Sequence, residues 1–138
     1  MNTQENIQLN SLTTFGTGGS ARYLVVIENE GELEAAFAFA AEKSLEVFIL
    51  GGGRNIVLAD NDFDGLVLKI SLKGINIIDS NQGDVVLVKV AAGEVWDDVV
   101  DFAVDNGLWG IENLSAIPGS AGAFAVQNVG AYGQEASQ

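Results

Sequence analysis

Cysteine and histidine are both missing from this 138-residue sequence. The first absence excludes disulfides, thiolate nucleophiles and zinc–thiolate sites. The second removes the commonest general base and the commonest transition-metal ligand. Proline is nearly absent too: Pro118 stands alone, where average usage would give about 7. Natural drift and deliberate editing of a natural domain would each leave such a composition. Basic residues are scarce, with 6 lysines and arginines against 19 aspartates and glutamates, for a net charge of −13. A field of that sign repels phosphate backbones and speaks against nucleic-acid partners. A polyanionic ligand would need local backbone dipoles to draw it in. Because the acidic residues are spread along the chain, their plain reading is solubility. No apolar run approaches the roughly 20 residues of a membrane span. Met1 to Leu9 is polar and lacks the basic and apolar regions of a secretory signal. A cytoplasmic protein without membrane partners is expected.

What is present is a globular composition, 48% apolar, in a chain of one-domain length that can bury about two-thirds of its unfolded surface. Tyr23 to Ile27 is apolar and β-branched, and reads as a strand. Asn29 with Glu32 forms a capping-box-like start, after which Leu33, Ala36, Phe37 and Ala40 recur at helical spacing through about Lys43. Glu46 to Leu50 is a second buried strand that ends at Gly51-Gly52-Gly53, completing a β-α-β unit. Leu66 to Ile70, Ile75 to Ile78 and Val85 to Ala91 read as further strands, with a turn at Asn81 to Asp84. Past Gly93, Val95, Val99, Phe102 and Ala103 share one face of a second helix, and Gly107 sits where its stop belongs. The pattern predicts an α+β (α/β) protein, with a small β-α-β lobe over residues 1–65 and a second lobe over 66–138.

Two glycine-rich segments are the candidates for binding. The first is Leu50-Gly51-Gly52-Gly53-Arg54-Asn55-Ile56. Glycines after a buried strand let backbone N–H groups converge on phosphate oxygens, and Asn55 can add a side-chain bond. The lysine and Ser/Thr of a nucleoside-triphosphate loop are missing, and the spacing is not that of a dinucleotide fingerprint; a plain strand-ending turn is the competing reading. The second runs from Ile117-Pro118-Gly119-Ser120-Ala121-Gly122-Ala123-Phe124 to Gln127-Asn128-Val129-Gly130-Ala131. Pro118 suits the first turn of a short helix whose free N–H groups would face an anion. Small residues at 119–123 admit a flat ligand, while Gln127 and Asn128 offer the polar edge that reading a heterocycle requires. A tightly packed structural turn is the alternative.

These blocks resemble the flavoprotein UDP-N-acetylenolpyruvoylglucosamine reductases of bacterial cell-wall (peptidoglycan) synthesis, in their N-terminal, FAD-binding part. The likeness runs from Thr14-Phe15-Gly16 through Gly51–Asn55 to Gly110-Ile111-Glu112-Asn113-Leu114, Pro118-Gly119 and Gln127 to Glu135. It implies a two-lobed FAD-binding fold of the vanillyl-alcohol-oxidase (PCMH) type, truncated in the second lobe, with the cofactor extended between the lobes. The loop at 51–55 would hold the pyrophosphate, and the segment at 118–131 would line pyrophosphate, ribityl and isoalloxazine. The family passes hydride from NADPH through the flavin to an enolpyruvyl ether. None of its catalytic serine, glutamate or arginine maps onto this chain. Arg54 stands where the family usually has serine, and Phe124-Ala125 where it usually has a small residue and proline.

Three functions follow: an FAD-binding module without a complete catalytic cycle, a residual NADPH-dependent flavin oxidoreductase, or a structural domain without cofactor. FMN is the alternative flavin, and a monomer or weak homodimer the expected assembly. Trp96 and Trp109 read as core or lobe-interface aromatics, and Glu94, Asp97, Asp98 and Asp101 as a solvated helix face with a metal site as the lesser alternative. Tyr132 would contact flavin or cap the glycine-rich turn.

Overall fold

Leu66-Val67-Leu68 is apolar at every position, and a strand of that kind has to be covered on both faces. The computed structural model, which describes residues 1–83 and 85–137 (79–82 by backbone alone), puts this strand in the middle of a sheet. The chain divides into two units, Met1–Leu72 and Lys73–Gln138. The boundary expected after residue 65 therefore moves: the strand assigned to the start of the second lobe is the central strand of the first unit.

That unit comprises β1 (Thr3–Gln8), β2 (Ser20–Ile27), α1 (Glu30–Lys43), β3 (Val47–Leu50) and β4 (Phe63–Ile70). The strand order is β1-β2-β4-β3, with β1 antiparallel to β2 and the other pairs parallel. β4 thus lies between the two strands of the β2-α1-β3 crossover, with Leu66 opposite both Tyr23 and Val47. Alternation along β4 fills both layers. Leu66 and Leu68 pack with Val25, Ile27, Ala36 and Ala40, whereas Val67 packs with Leu9, Ala21, Leu24 and Leu50.

The Asn29 cap forms as expected. Its Oδ1 accepts from Glu32 N–H at 2.9 Å, and the Glu32 carboxylate accepts from Glu28 N–H at 2.9 Å. The inner face of α1 differs in one residue. With Ala36 and Ala40 against the sheet, Phe37 lies about 100° round the helix from Ala36 and is exposed; Phe39 packs instead, edge-on to Tyr23 at 5.2 Å. β1 was not expected, because Thr-Gln-Glu-Asn-Ile-Gln shows no apolar alternation; it is an edge strand whose Ile7 packs against the core.

The second unit holds β5 (Ile75–Gln82), β6 (Val85–Val90), α2 (Trp96–Asp105), a 3-10 turn at Glu112–Leu114, α3 (Ala121–Val126), β7 (Gly130–Ala131) and β8 (Gln134–Glu135). β5 and β6 form an antiparallel pair, as do β7 and β8. Part of the turn expected at Asn81 to Asp84 lies outside the described residues; Gly83 within it has φ +67°. α2 buries Val99, Val100 and Ala103. Val95, expected on that face, is the N-cap and exposed, since it precedes the first helical residue. Gly107, at φ +68°, ends the helix as read, and Leu108 N–H reaches back to Ala103 O at 2.8 Å. Trp109, expected to be covered, is 90% exposed.

Candidate functional site

The three glycines after β3 are alike in sequence and differ in role. Gly53 has φ +66°, and a Cβ there would lie 2.0 Å from Leu12 O. Its carbonyl accepts from both the N–H and the hydroxyl of Thr14, each at 2.9 Å. Gly53 is therefore a structural glycine, pressed against the Leu12–Thr14 backbone. At Gly52 φ is not left-handed, and a Cβ would meet only the Arg54 side chain, at 3.8 Å. Space above Gly52 is open. Among the described residues, nothing accepts from the backbone N–H groups of Gly52, Gly53 or Arg54. Three adjacent donors around one left-handed residue are the makings of an anion-binding nest.

The core anchors both ends of this loop. Leu50 is buried, and Ile56 packs half-buried on the same cluster of Leu9, Ala21, Leu24 and Val67. Both side chains point into the core, so of the residues expected to bind here they act as supports. Arg54 is exposed and enters no ion pair among the described residues. Asn55 is exposed and engaged in an interaction of its own. The Thr14 clamp had no role assigned from sequence; its only signal there was its place in the Thr-Phe-Gly block.

In the second segment the helix starts later than Pro118 suggested. α3 begins at Ala121, and its leading N–H groups are already used: Ala121 N–H donates to Glu94 O at 2.8 Å and Gly122 N–H to Ala92 O at 3.0 Å. The expected anion-facing helix start is thus occupied by main chain. Gly122 is small for the same reason, since a Cβ there would lie 2.8 Å from the Cβ of Ala92. Residues Ala92–Asp97 act as a template along which this segment lies. Val95 bridges to Ser120, Trp96 N–H donates to Gly119 O at 3.0 Å, and the Trp96 indole N–H donates to Leu114 O at 2.9 Å.

Phe124 is 5% exposed and stacked on Trp96, ring centres 3.5 Å apart and planes 9° from parallel. Its side chain fills the unit's own interior, against the half-buried Trp96. Asn128, at φ +47°, ties down the β7–β8 hairpin: Nδ2 donates to Glu135 at 3.0 Å, and Oδ1 accepts from Ser137 N–H at 2.9 Å. Gly130 must be small, because a Cβ would lie 2.7 Å from Gln134 O. Ile117, Gly119, Ala123 and Ala131 are half-buried and Ser120 is buried, while Pro118 and Gln127 are exposed, Gln127 with a partner of its own.

Of the acidic residues expected on the second helix, Glu94 precedes α2 (Trp96–Asp105) and is not simply solvated. Glu94 accepts from Gly74 N–H at 2.5 Å and from Lys73 Nζ at 3.0 Å, and these two partners, the amide foremost, hold its carboxyl below the usual range against a smaller opposing effect of burial. Asp97 accepts from Ala116 N–H at 2.6 Å. No group of three carboxylates among the described residues is placed to hold a metal.

The FAD binding domain family matches residues 21–138. The chain belongs to that family. Its cofactor is FAD, and the two units with their mixed sheet and helices are the α+β fold of the family. Among curated relatives, it is 42% identical over 132 residues to UDP-N-acetylenolpyruvoylglucosamine reductase of Pseudomonas aeruginosa, covering 96% of this chain and 38% of the relative. The reductase of Streptomyces coelicolor is 44% identical over 126 residues, covering 91% and 31%. Among solved structures, the UDP-N-acetylenolpyruvylglucosamine reductase of Thermus caldophilus matches with a TM-score of 0.73 at 26% identity, over 98% of this chain and 45% of that one. The chain spans less than half the length of each. No helix among the described residues is long and apolar enough to cross a membrane.

Proposed function

We propose that this chain is the FAD-holding part of an enzyme of the UDP-N-acetylenolpyruvoylglucosamine reductase kind, and that it completes no catalytic cycle by itself. The observation that carries this reading is the Gly51–Asn55 loop, whose N–H groups at Gly52, Gly53 and Arg54, around a left-handed glycine, have no acceptor among the described residues. In a chain of −13, fixed backbone dipoles are what can attract a polyanion. The Arg54 guanidinium, exposed and without an ion pair among the described residues, can add a charge-assisted bond to the same pyrophosphate. Three donors in a row suit a diphosphate better than the single phosphate of FMN. From the second unit, main chain at Ile117, Gly119 and Ser120 and side chains at Ala123, Gln127 and Ala131 contribute contacts to ribityl and isoalloxazine. Leu50, Ile56, Gly122, Phe124, Asn128 and Gly130 support these contacts from behind.

Bound FAD would supply the hydride acceptor and donor; the residues of this chain bind and orient it, and none is assigned as proton donor. The cytoplasmic setting is carried by the likeness to the reductases and by nothing in the fold. Weak self-association is supported by the β5–β6 pair, which leaves Ile77, Ile78, Val85 and Leu87 exposed. The test is direct. Purified protein is expected to be yellow and to release one FAD per chain on denaturation, identified by chromatography. Folded, colourless protein that takes up neither FAD nor FMN overturns the reading.

A further inference from the structure

Ala116 is held at φ +59°, in the left-handed region where a Cβ is penalised and where alanine, unlike asparagine or aspartate, has no polar group to offset the strain. Such a residue persists only where its surroundings over-determine it. Among the described residues, the hydrogen bond that Ala116 makes goes to one side chain. Asp97 Oδ1 accepts from Ala116 N–H at 2.6 Å and from Ser115 Oγ at 3.1 Å. Immediately downstream lie Ile117, Pro118 and Gly119, and from Gly119 onward the chain is fastened to the Ala92–Trp96 template. Upstream, Leu114 is fastened through the Trp96 indole. Between those two anchors Ser115 N–H reaches Glu112 O at 3.3 Å, and Asp97 is the group bonded to Ala116 itself.

We propose that Asp97 is a positioning residue for the cofactor: it holds Ala116 left-handed and thereby aims Ile117–Gly119. This rests on the reading that the segment from Ile117 contacts FAD. Charge alone predicts the opposite sign, because removing an acidic residue from a chain of −13 should favour a polyanionic cofactor. Asp98 supplies the control, since it lies in the same first turn of α2 and its loss removes the same charge.

The experiment titrates FAD into Asp97→Ala, Asp97→Asn, Asp98→Ala and Asp97→Ala/Ala116→Gly, and follows exchange of the residue-116 amide by NMR in flavin-free protein. Asp97→Ala is expected to weaken FAD about tenfold, the scale of lost hydrogen bonds to a charged group, and to speed exchange at Ala116. Asp98→Ala leaves both unchanged. Asp97→Asn keeps an Oδ1 acceptor and most of the affinity. Ala116→Gly restores at least part of the loss, since glycine takes φ +59° without penalty; a general loss of folding would not be repaired this way. Wild-type affinity and wild-type exchange in Asp97→Ala overturn the proposal, as does a double variant that recovers nothing. If the unmutated chain takes up no FAD, the cofactor reading falls on that result alone, while unaltered exchange in Asp97→Ala still refutes the role given to Asp97.

Discussion

Adjacent glycines in one loop should respond oppositely to the same substitution. At Gly53 an alanine Cβ would sit 2.0 Å from Leu12 O and 3.1 Å from Thr13 Cα, at φ +66°. Backbone on both sides has to separate by about an ångström to clear it, and the two bonds from Thr14 to Gly53 O, both 2.9 Å, are what the separation breaks. The left-handed penalty is about 1–2 kcal/mol, and the two hydrogen bonds are worth about 0.5–1.5 kcal/mol each. Gly53→Ala is therefore expected to destabilise the first unit by about 2–5 kcal/mol, lowering the melting temperature by roughly 10–20 °C. At Gly52 the nearest atom to a new Cβ is 3.8 Å away and φ is not left-handed, so stability should change by no more than about 0.5 kcal/mol. The cost there falls on binding, because the methyl group enters the space above the unpartnered N–H groups. Circular dichroism melts without flavin and FAD titrations on both variants separate the two effects. A Gly53→Ala melt within about 2 °C of the parent would refute the packing reasoning. Unchanged FAD affinity in Gly52→Ala would leave the loop as a strand-ending turn.

Glu94, held below the usual carboxylate range chiefly by Gly74 N–H and then by Lys73, contributes stability that is present above its unfolded value of about 4.3 and lost as pH falls through the lower folded value. Glu112, depressed by its own and the Gly110 backbone N–H groups, acts with the same sign, so urea midpoints should drop between neutral pH and about pH 3.5; in Glu94→Gln/Glu112→Gln that drop should be shallower, and an unchanged slope would contradict the assignment. Phe124→Ala opens a void against Trp96 and should destabilise by about 3–5 kcal/mol, with a shift in tryptophan emission that Phe124→Leu largely avoids; a neutral Phe124→Ala would mean that the ring faces the cofactor path after all. Tyr132 and Gly133 both have positive φ, at +54° and +84°, as a type I′ hairpin turn requires. Tyr132→Asn should therefore stabilise by a few tenths to about 1 kcal/mol, and if FAD affinity falls in the same variant, the exposed phenol contacts the flavin.

Strands and helices with a one-dimensional signature were legible. Val25 and Ile27, the Asn29 cap and the Leu66–Leu68 run each carry their role in their own neighbourhood, so β2, α1 and β4 follow from local pattern. β1 was illegible because an edge strand with one packed side chain need not alternate. The boundary between units was missed for a related reason: a run apolar on both faces says that a strand is central and not which sheet it centres. Within the candidate site, sequence marked the right loops and could not sort their residues. Gly52 and Gly53 are the same letter, and only the position of Leu12, 41 residues away in sequence from Gly53, makes one structural. Pro118 and the small residues after it look like an anion-binding helix start until the carbonyls of Ala92 and Glu94 are seen to take the first N–H groups.

Charge is where local reading fell furthest short. A net −13 spread along a chain suggests solubility, yet carboxylates recur as acceptors for main-chain N–H groups: Glu32 at Glu28, Asp60 at Gly18, Asp62 at Ser20, Glu94 at Gly74, Asp97 at Ala116 and Glu112 at Gly110. Four of those N–H groups belong to loop residues (Gly18, Gly74, Gly110 and Ala116) whose positive φ leaves them without a place in any ladder. A chain with one proline lacks the usual means of stiffening such turns, and charged acceptors do that work here. The consequence differs from that of proline. Proline holds a turn at any pH, whereas a turn held by a carboxylate loosens when the acid is protonated. The turns at Gly74 and Gly110, held by the depressed carboxyls of Glu94 and Glu112, should therefore loosen on acidification before the Leu66–Leu68 core does.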